Sequence, residues 1–415
     1  MSEIISRRKT CRLCNGTDHS LIVHYPPSPM ADAYVQKEFL NRTQDSYPLD
    51  LFLCTQCGHS QLLDIIDPNI IYLDYIYVTT SSLGLSDHFR RNAKATLAKI
   101  NLPSDGFVID IGSNDGTLLQ AYKDEGKRVL GVEPSREASR IANESGVQTI
   151  PEFFDTHLAK KIRSEHGPAD IITMNNLFAN IDDLQDATKG IRSLLKPDGV
   201  FIFETFYFAD FINNLVFDFM YHEHLSYFTV KPLREFFDRH EMELIEVESI
   251  PTKGGSMRCT VQLKGGKRRI DASVGDRIEQ EKRMGIHQNG PLFKEFTARI
   301  DRQKHGLNDF LSAQKKQGKV IAGFGASATT TTLLYYCDSI QYFDFLIDDN
   351  LAKQNTYSPG CHLPVLSADS LQEKKPDVVV LLAWRYAESL MSKHSALKKP
   401  GVTVVVPFPE FRIVK

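Results

Sequence analysis

Short apolar runs rich in β-branched residues recur along this chain, each followed by a stretch with helical spacing. That alternation limits the fold more than any other feature. Phe107-Val108-Ile109-Asp110-Ile111 predicts a buried strand. Thr117 to Gly126 predicts a helix that stops at its glycine. Arg128 to Val132 is a second expected strand, and Ala138 to Ser145 a second helix. Ala169 to Met174 and Gly199 to Glu204 extend the series, the latter entered through a turn at Leu195 to Gly199. Such alternation predicts a parallel, doubly wound sheet of the α/β class, which takes its ligands outside the carboxyl ends of its strands. The pattern returns late in the chain. Lys319 to Gly325 reads as a strand running into a glycine turn, with Ser327 to Tyr336 as the next helix. Phe343 to Asp348, Val378 to Ala383 and Val402 to Val406 read as further strands of a second Rossmann-like sheet. Between the two series, Ala272 to about Gln317 reads as charged and largely helical.

Four of the seven cysteines fall in two pairs, Cys11-x-x-Cys14 and Cys54-x-x-Cys57. Two thiolates from each of two tight turns match a closed tetrahedral zinc site, structural because no coordination position is left for water. His59 is an alternative to one of these ligands, and four unconnected buried thiols are the plain alternative. The expected organisation is a zinc-binding module over 1–72, a central sheet domain over 73–250 and a C-terminal Rossmann-like domain over 251–415.

The loop Gly112-Ser113-Asn114-Asp115-Gly116 follows a strand and opens a helix, so it lies where such sheets bind cofactors. Its glycine spacing differs from the dinucleotide fingerprint. Asp110 and Asp115 would repel a pyrophosphate and attract a sulfonium with an amino-acid tail. Glu133, ending the next strand and followed by Pro134, suits ribose hydroxyls, and Asn175 and Asn176 complete the crevice. S-adenosylmethionine is therefore the expected cofactor, and NAD the weaker alternative. Asp110, Gly112, Asn114, Gly116, Glu133, Pro134, Asn175 and Asn176 are the residues expected to bind it.

Tyr221-His222-Glu223-His224 follows the strand ending at Glu204 and gathers groups that can move a proton near neutral pH. Bound metal and solvated loop charges are the competing readings. Formal net charge is −3, without the basic excess of a nucleic-acid-binding protein. No apolar run is long enough to cross a bilayer, and the charged start at Ser2 to Lys9 lacks a signal-peptide core, so a cytoplasmic protein without a membrane partner is expected.

Taken together, the two CxxC pairs, Asp110 to Gly116, Gly131-Val132-Glu133-Pro134-Ser135 and Tyr221 to His224 resemble the three-domain nucleotide-sugar C-methyltransferases. The resemblance runs on through Lys253 to Arg258, Gly323 to Ala328, Asp348 to Asn350, Lys353-Gln354 and Ser358 to Gly360. It implies a class I S-adenosylmethionine-dependent methyltransferase domain between a zinc module and a substrate domain, in a monomer. It implies C-methylation of a keto sugar carried on a nucleotide, dTDP first, through an enolate. The favoured base is His224, with Tyr221 and Glu223 beside the sugar and Tyr77 lining the site. Asn180, His222, Lys253, Gly255, Arg258, Gly325, Ala326 and Lys353 are implied in substrate binding. The Gly323 to Gly325 turn is expected to take a phosphate on backbone N–H groups, with a tight strand-to-helix connection that holds no ligand as the alternative. One departure stands out: the family usually carries histidine where this chain has Asn180, which cannot act as a base. That raises the weight on His224, with His222 as a second possible base. O- or N-methylation of a small metabolite, and a non-catalytic scaffold, are the alternatives.

Overall fold

The computed structural model describes residues 4–73, 84–100 and 102–414. Its centre is a seven-stranded sheet in the order Met242–Ile250, Ser256–Leu263, Leu195–Phe206, Ala169–Asn175, Phe107–Ile111, Arg128–Val132, Thr149–Ile150. The last five run parallel, as the alternating pattern predicts. Phe107–Ile111 and Ala169–Asn175 are neighbours from which the chain winds in opposite directions, so the crevice of a doubly wound sheet opens at their carboxyl ends.

Helices on this sheet start where short polar side chains can take an orphan N–H. Ser135 accepts from Ala138, Asp155 from Leu158 and Asp183 from Asp186, at 3.3, 2.7 and 3.0 Å. A cluster of buried aromatic rings, Phe178, Phe201, Phe203, Phe228 and Phe237, fills one face, with Phe178 and Phe203 centroids 4.8 Å apart. Burying each ring contributes about 2 kcal/mol. This ties the turn after Ala169–Asn175 to the segment that carries the histidines.

The stretch from Ala272 to about Gln317 is largely helical, as expected, in two helices, Ala272–Met284 and Pro291–Lys316, separated where Gly285 turns left-handed at φ 70°. Two expectations meet differences. The turn at Leu195 to Gly199 is absorbed into the strand Leu195–Phe206, with a register shift between Leu195 and Val200. The strands Met242–Ile250 and Ser256–Leu263 form an antiparallel hairpin on the sheet's edge. A domain seam at 250/251 would therefore separate two neighbours of one sheet.

The C-terminal sheet has the order Val365–Leu366, Phe345–Ile347, Ile321–Phe324, Val378–Leu381, Thr403–Val406, Arg412–Ile413, parallel except for the last strand. It repeats the switch of winding direction, here between Ile321–Phe324 and Val378–Leu381. The N-terminal module contributes an antiparallel sheet of His19–Val23, Leu51–Cys54 and Ser60–Leu62. Its fourth strand is Ser226–Tyr227, from the segment just after His224. Arg12, fully buried, reinforces that junction. It donates to the carbonyls of Leu62 and Leu225 and pairs with Asp182 at 3.0 Å. Among the described residues, no helix is long and apolar enough to cross a membrane.

Candidate active site

The Sγ atoms of Cys11, Cys14, Cys54 and Cys57 all lie within 4.8 Å of one another, with Cys11–Cys57 at 3.7 Å and Cys14–Cys54 at 3.5 Å. Zn–S bonds of about 2.3 Å in a tetrahedron place sulfurs roughly 3.8 Å apart, so the quartet fits zinc with no fifth donor needed. His59 stands apart from it, bonded to Ser226 at 3.2 Å and stacked on Phe228.

A cavity of about 740 Å³ opens at the switch point of the central sheet and reaches all three modules. At its cofactor end lie Asp110, Gly112, Asn114, Glu133, Pro134, Asn175 and Asn176. Glu133 accepts from the N–H of Asn114 at 3.0 Å and of Ser135 at 2.8 Å, which fixes its carboxylate while leaving lone pairs for a diol. Asp110 accepts from the Thr173 hydroxyl at 2.6 Å. Burial pushes Asp110 up to about 7, with the Glu133 charge adding to the effect and Thr173 opposing it. Both amide atoms of Asn175 are buried without a partner among the described residues, orphans that a polar ligand would satisfy. These groups fit the adenosine and amino-acid parts of S-adenosylmethionine.

Two loop residues have other work. Asp115 accepts from the N–H and hydroxyl of Thr117, so it caps the following helix. Gly116 stands outside the cavity wall, with a left-handed φ of 79° and a Cβ position 3.1 Å from Val147. Gly112, at φ 74°, does line the cavity, but a Cβ there would press on Leu177 at 2.6 Å. Backbone conformation and packing demand these glycines.

At the middle of the cavity stand Tyr221, His222, Glu223 and His224, with Asn180 and Lys253. His224 is held against Phe206, Phe219 and Tyr221, the last with ring centroids 4.1 Å apart. Its Nδ1 lies 2.9 Å from the Phe219 carbonyl. A carbonyl only accepts, so Nδ1 carries the proton and Nε2 keeps a lone pair. Burial pushes His224 down to about 3, so the ring is neutral at every working pH. His222 turns away towards the Tyr47 carbonyl at 3.3 Å and borders a second cavity of about 240 Å³. Asn180 lies beside Tyr72, a side chain of the N-terminal module. Tyr77 lies outside the described residues.

The far end is built by the C-terminal module: Ala326, Ser327, Ala328 and Thr329, then Asp348, Asn350, Lys353, Arg385 and Tyr386. Gly255, Arg258 and Gly325 stand behind the wall. Arg258 binds Glu204 at 2.9 Å, which His88 also holds. The expected phosphate cradle at the Gly323 to Gly325 turn is already filled. The Gly325 N–H donates to the Ile347 carbonyl at 2.8 Å, and that of Ala326 to the Asp348 carboxylate at 2.6 Å. Ser327 and Thr330 form a capping box that engages their own two N–H groups. Asp348 ends its strand as Glu133 does, so a sugar hydroxyl suits that corner better than a phosphate. Positive charge comes instead from Lys253, Lys353 and Arg385. Arg385 pairs with the buried Asp218 at 2.6 Å and lies over Phe219, while Lys353 pairs with Asp32 and lies over Tyr34. The sequence reading missed Asp32, Tyr72, Arg385 and Tyr386. Tyr386 had a local signal, an aromatic next to arginine just past a strand, and it is 56% exposed at the mouth.

Residues 11–72 match a family described as a zinc binding domain, 86–247 a methyltransferase domain, and 251–409 a C-methyltransferase C-terminal domain. Over 415 residues the chain is 29% identical to the C-methyltransferase NovU of Streptomyces niveus, covering 100% of this chain and 99% of that one. It is 31% identical over 104 residues to the ubiquinone biosynthesis O-methyltransferase of Escherichia coli, covering 24% of this chain and 42% of the other.

Proposed function

We propose that this S-adenosylmethionine-dependent methyltransferase, whose three regions match zinc-binding, methyltransferase and C-methyltransferase C-terminal families, methylates a carbon next to the ketone of a nucleotide-linked sugar, dTDP-linked in the first instance. The observation that carries this reading is a neutral, orientation-locked His224 between a cofactor end lined by carboxylates and a substrate end lined by cations. A sulfonium and a diphosphate have opposite charges, so such a cavity sorts them to opposite ends.

S-adenosylmethionine, when bound, supplies a methyl group made electrophilic by its sulfonium. The chain's residues do the rest. Glu133 takes the ribose hydroxyls, and Asn175 and Asn176 take polar edges of the cofactor. His224 Nε2 removes the proton that the neighbouring ketone has acidified. Tyr221 stays protonated, because burial pushes its phenol well up, so it donates a hydrogen bond to the sugar. Glu223 sits beside it, against a sugar hydroxyl. Arg385 and Lys353 hold the diphosphate, and Tyr386 at the mouth stacks on the base. The zinc quartet is structural. The chain acts as a monomer.

The test is a panel of dTDP-, GDP- and UDP-linked keto sugars incubated with S-adenosylmethionine, with products read by mass and NMR. A new quaternary carbon bearing the methyl is the expected result. A methyl on oxygen or nitrogen would reject the reading.

Asp110 makes cofactor binding pH-dependent. Its raised pKa means that much of it is protonated at neutral pH, and a nearby sulfonium favours the carboxylate. Binding then releases a proton, and affinity climbs by up to about tenfold per unit as pH rises towards 7. Calorimetry in two buffers of different ionisation enthalpy measures this release. Asp110→Asn removes the pH slope. A wild-type protein that releases no proton on binding near pH 7, the value to which burial raises Asp110, sinks the assignment.

A further inference from the structure

We propose that Lys253 is a catalytic residue whose ammonium stabilises the negative charge collecting on the ketone oxygen as His224 removes the adjacent proton. This rests on the keto-sugar reading above and assigns a part of the reaction that the reading leaves open.

Three observations converge on it. First, Lys253 lines the cavity together with Tyr221, Glu223 and His224, and its charge is felt at His224 and Glu223. Second, the other cations of the cavity's substrate end are each partly neutralised by a carboxylate, Arg385 by Asp218 and Lys353 by Asp32, which leaves them N–H donors for a diphosphate but little net charge for an oxyanion. Glu204, the buried carboxylate near Lys253, is taken by Arg258 and His88. Among the described residues Lys253 forms no ion pair, so its charge is available to a ligand. Third, its backbone is held where a lysine rarely sits. Lys253 has φ 56°, in the turn between Met242–Ile250 and Ser256–Leu263. The turn is pinned by the Gly255 N–H to the Thr252 carbonyl at 2.9 Å, by Asn214 to the Gly254 carbonyl at 2.9 Å, and by the Tyr207 N–H to the Gly255 carbonyl at 3.1 Å. A Cβ on Gly254 would lie 2.8 Å from Val216, and one on Gly255 would collide with Asp210. An unfavourable conformation that its surroundings over-determine is typical of a functional position.

The step balances within the site. The C–H bond next to the ketone breaks and its proton passes to His224 Nε2. The electron pair becomes the C=C bond of the enolate, and the carbonyl π pair moves to oxygen, beside the Lys253 ammonium. Lys253 gives up no proton. Burial lowers it to about 8, with Glu204 and Glu223 opposing, so it is mostly a cation at neutral pH. A cation beside the developing oxyanion acts where the charge appears, and losing one such group costs about 10²- to 10³-fold in turnover.

The test is deuterium wash-in from D₂O into the carbons flanking the ketone of dTDP-4-keto-6-deoxyglucose, with S-adenosylhomocysteine bound in place of the methyl donor. Wild-type protein is expected to exchange. Lys253→Met should slow exchange and kcat together by about 10²-fold, with KM for the sugar changed far less. Lys253→Arg, which keeps the charge, should recover part of both. Calorimetric binding of S-adenosylhomocysteine reports that each variant is folded. Exchange at the wild-type rate in a folded Lys253→Met overturns the role of Lys253 and leaves the keto-sugar reading standing. Wild-type protein that methylates a panel sugar but exchanges no proton in any of them overturns the enolate reading, and the role of Lys253 with it.

Discussion

His224→Asn is expected to lower kcat by about 10²- to 10⁴-fold, roughly 3–5 kcal/mol of barrier, with S-adenosylmethionine affinity kept. Asparagine can still donate to the Phe219 carbonyl and sit against Phe206, so the pocket keeps its shape. What disappears is the lone pair on Nε2. The wild-type pH profile gives a second readout of the same assignment. An ordinary histidine would lose activity as pH falls through about 6.5. Here burial pushes the ring down to about 3, so it remains a base well below that range. At saturating cofactor, which removes the Asp110 contribution, kcat/KM for the sugar should show no acid limb near 6.5. A low pKa also makes the imidazolium costly until an anion forms beside it, which favours proton removal only when the enolate is stabilised in place. Unchanged turnover in a folded His224→Asn would remove this residue as the base.

The second large effect comes from far outside the cavity. The untreated protein is expected to carry about one zinc per chain, and Cys54→Ser to lose both zinc and at least about 10²-fold in turnover. None of the four cysteines lines the cavity. The link runs through the sheet. Cys54 ends the strand Leu51–Cys54, which pairs with Ser60–Leu62, which pairs with Ser226–Tyr227 two residues beyond His224. The Leu62 N–H also donates to the Leu225 carbonyl at 2.9 Å, and Arg12, next to Cys11, donates to the same carbonyl. Releasing the metal frees the strand that fixes the catalytic loop. The cofactor loop at Asp110 to Asn114 belongs to another sheet, so S-adenosylmethionine affinity should fall much less than turnover. Equal loss of both in a folded variant would mean that zinc supports the whole molecule and has no selective hold on the loop.

Why some of this was legible in the sequence and some was not follows from how local each signal is. A buried parallel strand is a run of apolar β-branched residues, so Phe107–Ile111 and Val378–Leu381 stand out. The cofactor loop is contiguous and follows such a strand, so its residues could be named in order. The hairpin Met242–Ile250 with Ser256–Leu263 lies on the sheet's edge and carries Glu243, Glu246 and Glu248 among its apolar residues, which hid it. The far end of the cavity is a meeting of distant segments. Asp32 comes from the N-terminal module and Arg385 and Tyr386 from the C-terminal one, while Tyr72 of the N-terminal module joins Asn180 nearer the middle, and tertiary packing alone brings them together. The Gly323 to Gly325 turn misled for a related reason. The glycines mark a strand-to-helix connection, but Asp348, more than twenty residues on, occupies the N–H that a phosphate would need.

The strand Ser226–Tyr227 also bears on how this protein is made. On the ribosome the cysteine-bearing module emerges before the central sheet and can take up its metal early. Its strand Ser60–Leu62 then presents an unpaired edge, with buried-type residues on both faces, until residue 226 has been synthesised. An open edge of that kind recruits other chains. A nascent or truncated product ending within the central sheet is therefore the species most prone to aggregate. Completion of the loop that carries His224 and protection of that edge happen in a single event, so the candidate site and the shield against self-association arise at the same moment.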